Sequence, residues 1–405
     1  MTIDTKPEGF FAIDLVAFRC AAVGGLNSAV AHLIMARGTG PDNRTTQWSV
    51  HSIEKRTGIS RPKAKKAVKD LLQRGIAKQV RDGAHPIYEL MAGDQIPGAP
   101  FTIEEQKVIK NVQDAGGKGS ALTPVLSRLE VQGFIYKPKS GRWGYKVNEA
   151  AIQEFIRPVT VWLPNALIDG AADEVAPLEL IRQTRSLPAL RLLIELYAVQ
   201  FLPSYGGVPY ELLKEVFDRA KIGEQGPYVV WGFRPSHHTA TTAAFKLYRP
   251  FLSGQFTKTN DGAVKDAGLV GFFWPAVKTL KDLGLVELVG MLLEGGDDEA
   301  EIIHPFPIGD GEFAERELAL SATKATRGMI TDGQFNWANE NGYSHIVPVQ
   351  KHIANVTMVG IYRLKYRPHT AATAAWYALM QQSASEFLAK YRAIIEQHAA
   401  RKSVA

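Results

Sequence analysis

The chain has 405 residues, 45% of them hydrophobic, and a net charge of +6. That length predicts two to four domains, and the single cysteine, Cys20, excludes disulfide scaffolds and cysteine-based zinc sites within one chain. The opening MTIDTKPEGF lacks a basic start followed by an apolar run, and no uncharged stretch has the length of a membrane span, so a cytoplasmic protein without a membrane partner is expected.

Residues 1–95 read as one unit. LNSAVAHLIMARG is an apolar helix, followed by the polar loop TGPDNRTTQ. WSVHSIEKRTG is a short helix that Gly58 stops. Ser60 suits an N-cap, and Pro62 is tolerated in the first turn of the next helix. That helix runs to about Arg74 and ends at Gly75. IAKQVRDGAHPIYEL reads as two short strands around a turn at Asp82-Gly83.

DQIPGAP reads as a linker to a second unit, residues 99–157. There TIEEQKVIKNVQDA and ALTPVLSRLEVQG are helical, and FIYKPKSGRWGYKVN is a hairpin turning at Ser140-Gly141. A third unit, 158–310, begins with two expected helices, SLPALRLLIELYAVQFL and PYELLKEVFDRA. After an insertion, GLVGFFWPAVKTLKDLG and LVELVGMLLEGGDDEAEIIHPF give a further helix and a strand pair. Residues 311–405 are mixed and end in a long helix from about His369 to Ala400. One internal echo is present: RPSHHTATTAAF from Arg234 and RPHTAATAAW from Arg367.

The charge is concentrated. Between Ser49 and Arg81 ten basic residues face two acids, a surplus of +8 that exceeds that of the whole chain. In the helix after Ser60, Ala64, Ala67, Val68 and Leu71 recur at i, i+3, i+4 and i+7, one face of an α-helix. Lys63, Lys66, Asp70 and Gln73 fall on the opposite side, flanked by Arg61, Lys65 and Lys69. Two helices joined by a tight turn containing Gly58 form a helix-turn-helix, whose second helix enters the DNA major groove. Arg61 and Lys63 lie where base edges come within reach, and either residue type donates to guanine O6 and N7. Thr57, Ser60 and the first-turn amides are natural phosphate donors. Lys78 and Arg81, in the hairpin, are placed for flanking backbone.

Residues 49–90, SVHSIEKRTGISRPKAKKAVKDLLQRGIAKQVRDGAHPIYEL, resemble the winged helix-turn-helix domains of bacterial regulators and of plasmid or phage replication initiators. The resemblance implies that fold and double-stranded DNA as partner. It covers roughly a tenth of the chain; the second and third units share only its element order. The expected class is therefore α+β, helix-rich, with several winged-helix units in tandem.

The second hairpin adds Lys137, Lys139, Arg142 and Lys146, interleaved with Trp143 and Tyr145, a pattern suited to DNA. In the third, Glu294, Asp297, Asp298, Glu299 and Glu301 would repel phosphate, which favours a solvent-facing or protein-facing loop. Their spacing lacks the calcium-loop pattern. No metal or cofactor is expected, and no Gly-x-x-x-x-Gly-Lys-Ser/Thr or His-Glu-x-x-His occurs. His237 and His238, being adjacent, do not converge on one metal from a regular helix. RPHTAAT with Tyr391 downstream resembles part of the tyrosine recombinase motif, but Leu364 stands where that motif has its His-x-x-Arg, and Pro368 separates Arg367 from His369. A non-enzymatic protein is expected.

Two functions fit such a chain. A transcriptional regulator needs one reading head, and the acidic third hairpin favours it. A replication initiator of a mobile element would use several heads on repeated sites. A protein-interaction scaffold is the third class. A homodimer would pair half-sites. The apolar positions of the terminal helix, Trp376, Leu379, Met380, Phe387, Leu388, Tyr391, Ile394 and Ile395, would join such a dimer or, as expected here, pack on their own chain.

Overall fold

A computed structural model describes residues 9–97, 100–115, 124–131, 133–138, 144–170, 174–201, 206–210, 212–236, 256–258, 264–266, 273–294, 302–308, 313–353, 355–367 and 371–404. The protein is a mixed helix-and-strand chain with several small sheets and one larger one. It divides into two compact units. The first holds residues 1–199, 246–285 and 366–369; the second holds 200–245, 286–365 and 370–405. The two compact units are coarser than the expected division near 95, 158 and 310. Within the first, strand β1 (Phe10–Asp14) lies antiparallel to the distant β7 (Thr160–Pro164).

In the first unit β1 leads into α1 (Leu15–Val23). Asp14 fixes the start of this helix. One carboxylate oxygen accepts from the amides of Val16 and Ala17 at 2.8 and 3.0 Å, and the other accepts from Gly93 at 3.1 Å. The apolar α2 (Leu26–Arg37) follows, almost wholly buried. Then come β2 (Thr45–Thr46), α3 (Val50–Thr57), α4 (Arg61–Gln73), β3 (Ala77–Arg81) and β4 (Ile87–Leu90). The three strands form one antiparallel sheet in the order β2-β4-β3. Gly58 ends α3 at φ 62°, the left-handed conformation that glycine tolerates without cost.

Beyond Pro100 a small cluster is built from α5 (Ile103–Ala115), α6 (Pro124–Val131), the short hairpin β5 (Ile135–Tyr136) with β6 (Lys146–Val147), and α7 (Glu149–Ile156). Its core is Ile109, Val112, Leu126, Leu129, Phe134, Tyr145 and Phe155. β7 is followed by α8 (Ala166–Asp169), α9 (Pro177–Thr184) and α10 (Leu187–Val199), which packs on α1. A buried ion pair locks that contact. Both Glu195 oxygens accept from the Arg19 guanidinium at 2.7 Å, and Arg19 also donates to the Phe155 carbonyl at 2.7 Å.

The second unit is organised by strands. β8 (Lys214–Gln225) and β9 (Tyr228–Pro235) form a hairpin. Between them and the later strands, in chain order, come a two-stranded pair of the first unit, β10 (Phe256–Lys258) with β11 (Val264–Asp266), and that unit's helix α11 (Trp274–Asp282). β12 (Val286–Glu294), β13 (Ile302–Ile308), β14 (His345–Gln350) and β15 (Val356–Leu364) complete a six-stranded antiparallel sheet in the order β13-β12-β15-β8-β9-β14. Along β12 the two-residue period sends Leu292 to one face, with Phe217 and Met358, and Val289, Met291 and Leu293 to the other, with Val359 and Ile361. The first face is covered by α12 (Phe313–Arg327), which buries Leu318, Ala322 and Ala325, and by α14 (Ala371–Val404), which buries Leu388, Tyr391 and Ile394. A short helix, α13 (Asp332–Glu340), precedes β14. The terminal helix thus packs on its own chain.

Two expectations fail in this unit. PYELLKEVFDRA, read as a helix, is largely β8. Its apolar residues satisfy a helical period, but strands β9 and β15 on either side supply backbone partners that no local helix can match. The third winged-helix unit also fails. β12 and β13 are the edge of the large sheet, and α11 belongs to the other compact unit.

Two predictions follow from the first unit's core. Gly38 caps α2 beneath Trp48, and a Cβ there would lie 2.1 Å from the indole. Gly38→Ala should cost about 1–3 kcal/mol by overpacking, read as a lower denaturant midpoint. His32 is buried beside Phe18, and burial pushes its imidazole down to about 4 from the usual 6.5, Asp14 opposing weakly. The unfolded chain takes up this proton below pH 6.5 and the folded chain only near 4. Stability therefore falls as pH drops through that window, by at most ~1.4 kcal/mol per pH unit. Thermal melts of His32→Leu should be flatter than wild type between pH 6.5 and 5; identical profiles would acquit this residue.

Candidate nucleic-acid interface

The candidate surface begins with the packing of α4. Ala64, Ala67, Val68 and Leu71 are buried, as the period requires, and α4 lies against α2 and α3. Small side chains permit close approach. The contact is pinned by Asp70. Its carboxylate accepts from the Ser28 hydroxyl at 2.8 Å and from Arg74 Nε at 2.9 Å. A Cβ on Gly24 would stand 2.0 Å from Asp70 Oδ2, so glycine is required there while the carboxylate keeps this position. Asp70, placed among the outward polar residues by its period, is half-buried and serves the helix contact.

With the inner face held, the cations point outward. Arg61, Lys63, Lys65, Lys66, Lys69 and Gln73 are all exposed. The four lysines have no ion pair or hydrogen bond among the described residues, and Arg61 has only a loose contact, 3.5 Å from Glu54. Ser60 occupies the N-cap position of α4, and its hydroxyl makes no capping bond. It is exposed and free to donate.

Thr57 departs from expectation. It is 1% exposed, and its hydroxyl donates to the Ile53 carbonyl at 2.6 Å while accepting from the Ile59 amide at 3.3 Å. The turn consumes this hydroxyl, so it is no phosphate donor. Part of the basic surplus is also engaged. The Arg56 guanidinium lies 3.6 Å from the Trp48 ring centroid and 3.5 Å from Asp169, which also holds Arg37 at 2.8 Å.

In the hairpin, Lys78 is exposed on β3, opposite Glu89. Arg81 is exposed too, but its guanidinium reaches back to the His85 carbonyl at 3.0 and 3.2 Å. Together with Asp82, which accepts from the Gly83 amide at 2.8 Å and Gln79 at 2.9 Å, it holds the tip in one shape. In the second hairpin Lys139, Arg142, Trp143 and the Ser140-Gly141 turn lie outside the described residues. Of its remaining cations, Lys137 sits over the Tyr145 ring, 3.9 Å from Glu130, so its charge is partly answered.

The sequence offered no sign of the contribution from α9. This helix packs beside α3 and α2. Arg182, on it, and Arg185, just past its end, line a cleft of about 560 Å³ together with Lys63, Lys66 and residues 24–28. Arg182 holds Glu179 through both ends of its fork, at 2.6 and 2.5 Å.

The other motifs lead elsewhere. His237, His238 and the remainder of the first echo to Phe245 lie outside the described residues, as does the acidic loop after Glu294. Arg234 pairs with Asp218 at 3.5 Å and donates to the Asn341 carbonyl at 3.0 Å. Arg367 is buried. Tyr391 belongs to the second unit's core, and burial pushes its phenol far above the usual range. Among the described residues no three His, Cys, Asp or Glu side chains are grouped to hold a metal, and no helix is long and apolar enough to cross a membrane. Compared with protein-family models, curated proteins and solved structures, the chain matches none.

Thr57→Val should lower stability by about 1–2 kcal/mol, because a buried amide and carbonyl lose their shared partner. Urea unfolding checks this; an unshifted midpoint would return the hydroxyl to the surface.

Proposed function

We propose that residues 26–90 form a winged helix-turn-helix that binds double-stranded DNA, with α4 in the major groove and the β3–β4 hairpin along the flanking backbone. The order α2-β2-α3-α4-β3-β4 and the sheet order β2-β4-β3 support this topology. The observation that carries the reading is the row Lys63, Lys65, Lys66 and Lys69. These are exposed, unanswered cations on a helix whose opposite face is clamped to the unit. An α-helix fits the major groove, and such cations supply salt-dependent affinity by releasing counterions from phosphate. Arg61, at the start of α4, reads base edges, and Ser60 with the hairpin cations positions the helix.

Transcriptional regulation is the function we assign. Only one such cation row is present on a helix among the described residues, and in the second hairpin Lys137 faces a carboxylate, which leaves Lys146 as its one other described cation. One head needs a footprint of about one or two helical turns. A replication initiator would protect a long array of repeats, and an interaction scaffold would bind no duplex saturably at moderate salt.

Selection of duplexes from a random pool, followed by salt titration of the chosen site, tests this reading. Lys69→Ala should lower the slope of log K against log [salt] by about one, uniformly across sequences. Arg61→Ala should relax preference at one base pair. Unchanged slope and unchanged preference would remove α4 from the interface.

A further inference from the structure

The cleft beside α4 is more than a flank of the groove-facing surface. Its walls come from three places in the chain: Lys63 and Lys66 on α4, Arg182 and Arg185 around the end of α9, and Gly24-Gly25 with the first residues of α2. Four cationic side chains line it against one carboxylate, Asp70, which Ser28 and Arg74 already satisfy. Arg182 is answered by Glu179. Lys63, Lys66 and Arg185 have no partner among the described residues. Like charges repel around a concave space, and Asp70 and Glu179 leave Lys63, Lys66 and Arg185 unanswered.

We propose that this cleft is a binding site for a phosphate-bearing anion. Lys63 and Lys66 supply point charges, and the Arg185 guanidinium supplies a planar donor fork that matches phosphate oxygens. The floor adds to this. α2 begins after Gly25, which has no side chain to cap it, so its first amides remain available as donors. The volume of about 560 Å³ lies within the range of small-ligand pockets and leaves room for an anion larger than a single phosphate. Two sources share this chemistry: a backbone phosphate of duplex DNA, or a free phosphorylated small molecule. The second would share Lys63 and Lys66 with DNA and so compete with it. The site itself does not rest on the duplex-binding reading, because it can be probed without DNA.

The probe is pyrophosphate, titrated calorimetrically into the full-length protein at ionic strength held constant with chloride. Arg185 adopts φ 59°, so Arg185→Asn is the informative variant, since asparagine accepts that conformation. Lys63→Ala is the second, and Lys110→Ala, an exposed lysine on α5 outside the cleft lining, is the control. We expect saturable binding to wild type, at least fivefold weaker in Arg185→Asn and Lys63→Ala and unaltered in Lys110→Ala, with all melting temperatures alike. Duplex binding then separates the sources. Displacement of DNA by pyrophosphate, with duplex affinity intact in Arg185→Asn, marks a free ligand. A salt slope lower by about one in Arg185→Asn marks a backbone phosphate. Equal pyrophosphate affinity in all four proteins, or no binding together with an unchanged slope, overturns the proposal. Failure of wild type to bind any duplex, with pyrophosphate binding intact, would overturn the DNA reading alone.

Discussion

The close packing of α4 on α2 is the constraint on which the first unit's surface depends. Two alanines and two larger apolar residues face inward, and Ser28 with Asp70 fixes the position along the contact. A longer side chain at Ala64 or Ala67 would push the helices apart, and α4 would lose its defined height above the sheet β2-β4-β3. Because the inner face is closed, every lysine of α4 is driven to the same outer side. The electrostatic character of the surface is thus a consequence of core packing.

Similar economy governs the ends of the unit. Asp14 caps α1 and also receives Gly93, so one carboxylate ties the first helix to the chain that leaves the hairpin. Arg19 and Glu195 do the same between α1 and α10, with the Phe155 carbonyl as third partner. Buried charge is tolerated there because both partners are fully bonded. These ties join residues 1–95 to the rest of the first unit.

Much of the DNA-facing candidate could be read from local pattern. The helix of residues 61–73, its alanine stripe, the turn at Gly58 and the hairpin around Asp82-Gly83 all rest on short-range signals: periodicity, capping and left-handed glycine. Nonlocal partners were not legible. Nothing in TRSLP announces that Arg185 stands across a cleft from Lys63. Nothing in TGIS shows that the Thr57 hydroxyl is consumed by the turn. Net charge also overstated the free surface, since Arg56 and Arg37 are held by Trp48 and Asp169.

By itself, the sequence determined the helices α2 to α6, α10, α11 and α14, but not α1, α7, α8, α9, α12 or α13. It also determined the face that α4 buries and the concentration of positive charge around residues 49–81. These depend on interactions within a turn or two of chain. Only the tertiary structure decided that KEVFDRA is strand, that β12 and β13 join a six-stranded sheet, and that each compact unit gathers segments far apart in the chain. The reason is one of range. A strand has no hydrogen-bond partners of its own and takes its identity from segments far away in the chain, whereas a helix carries its partners within itself.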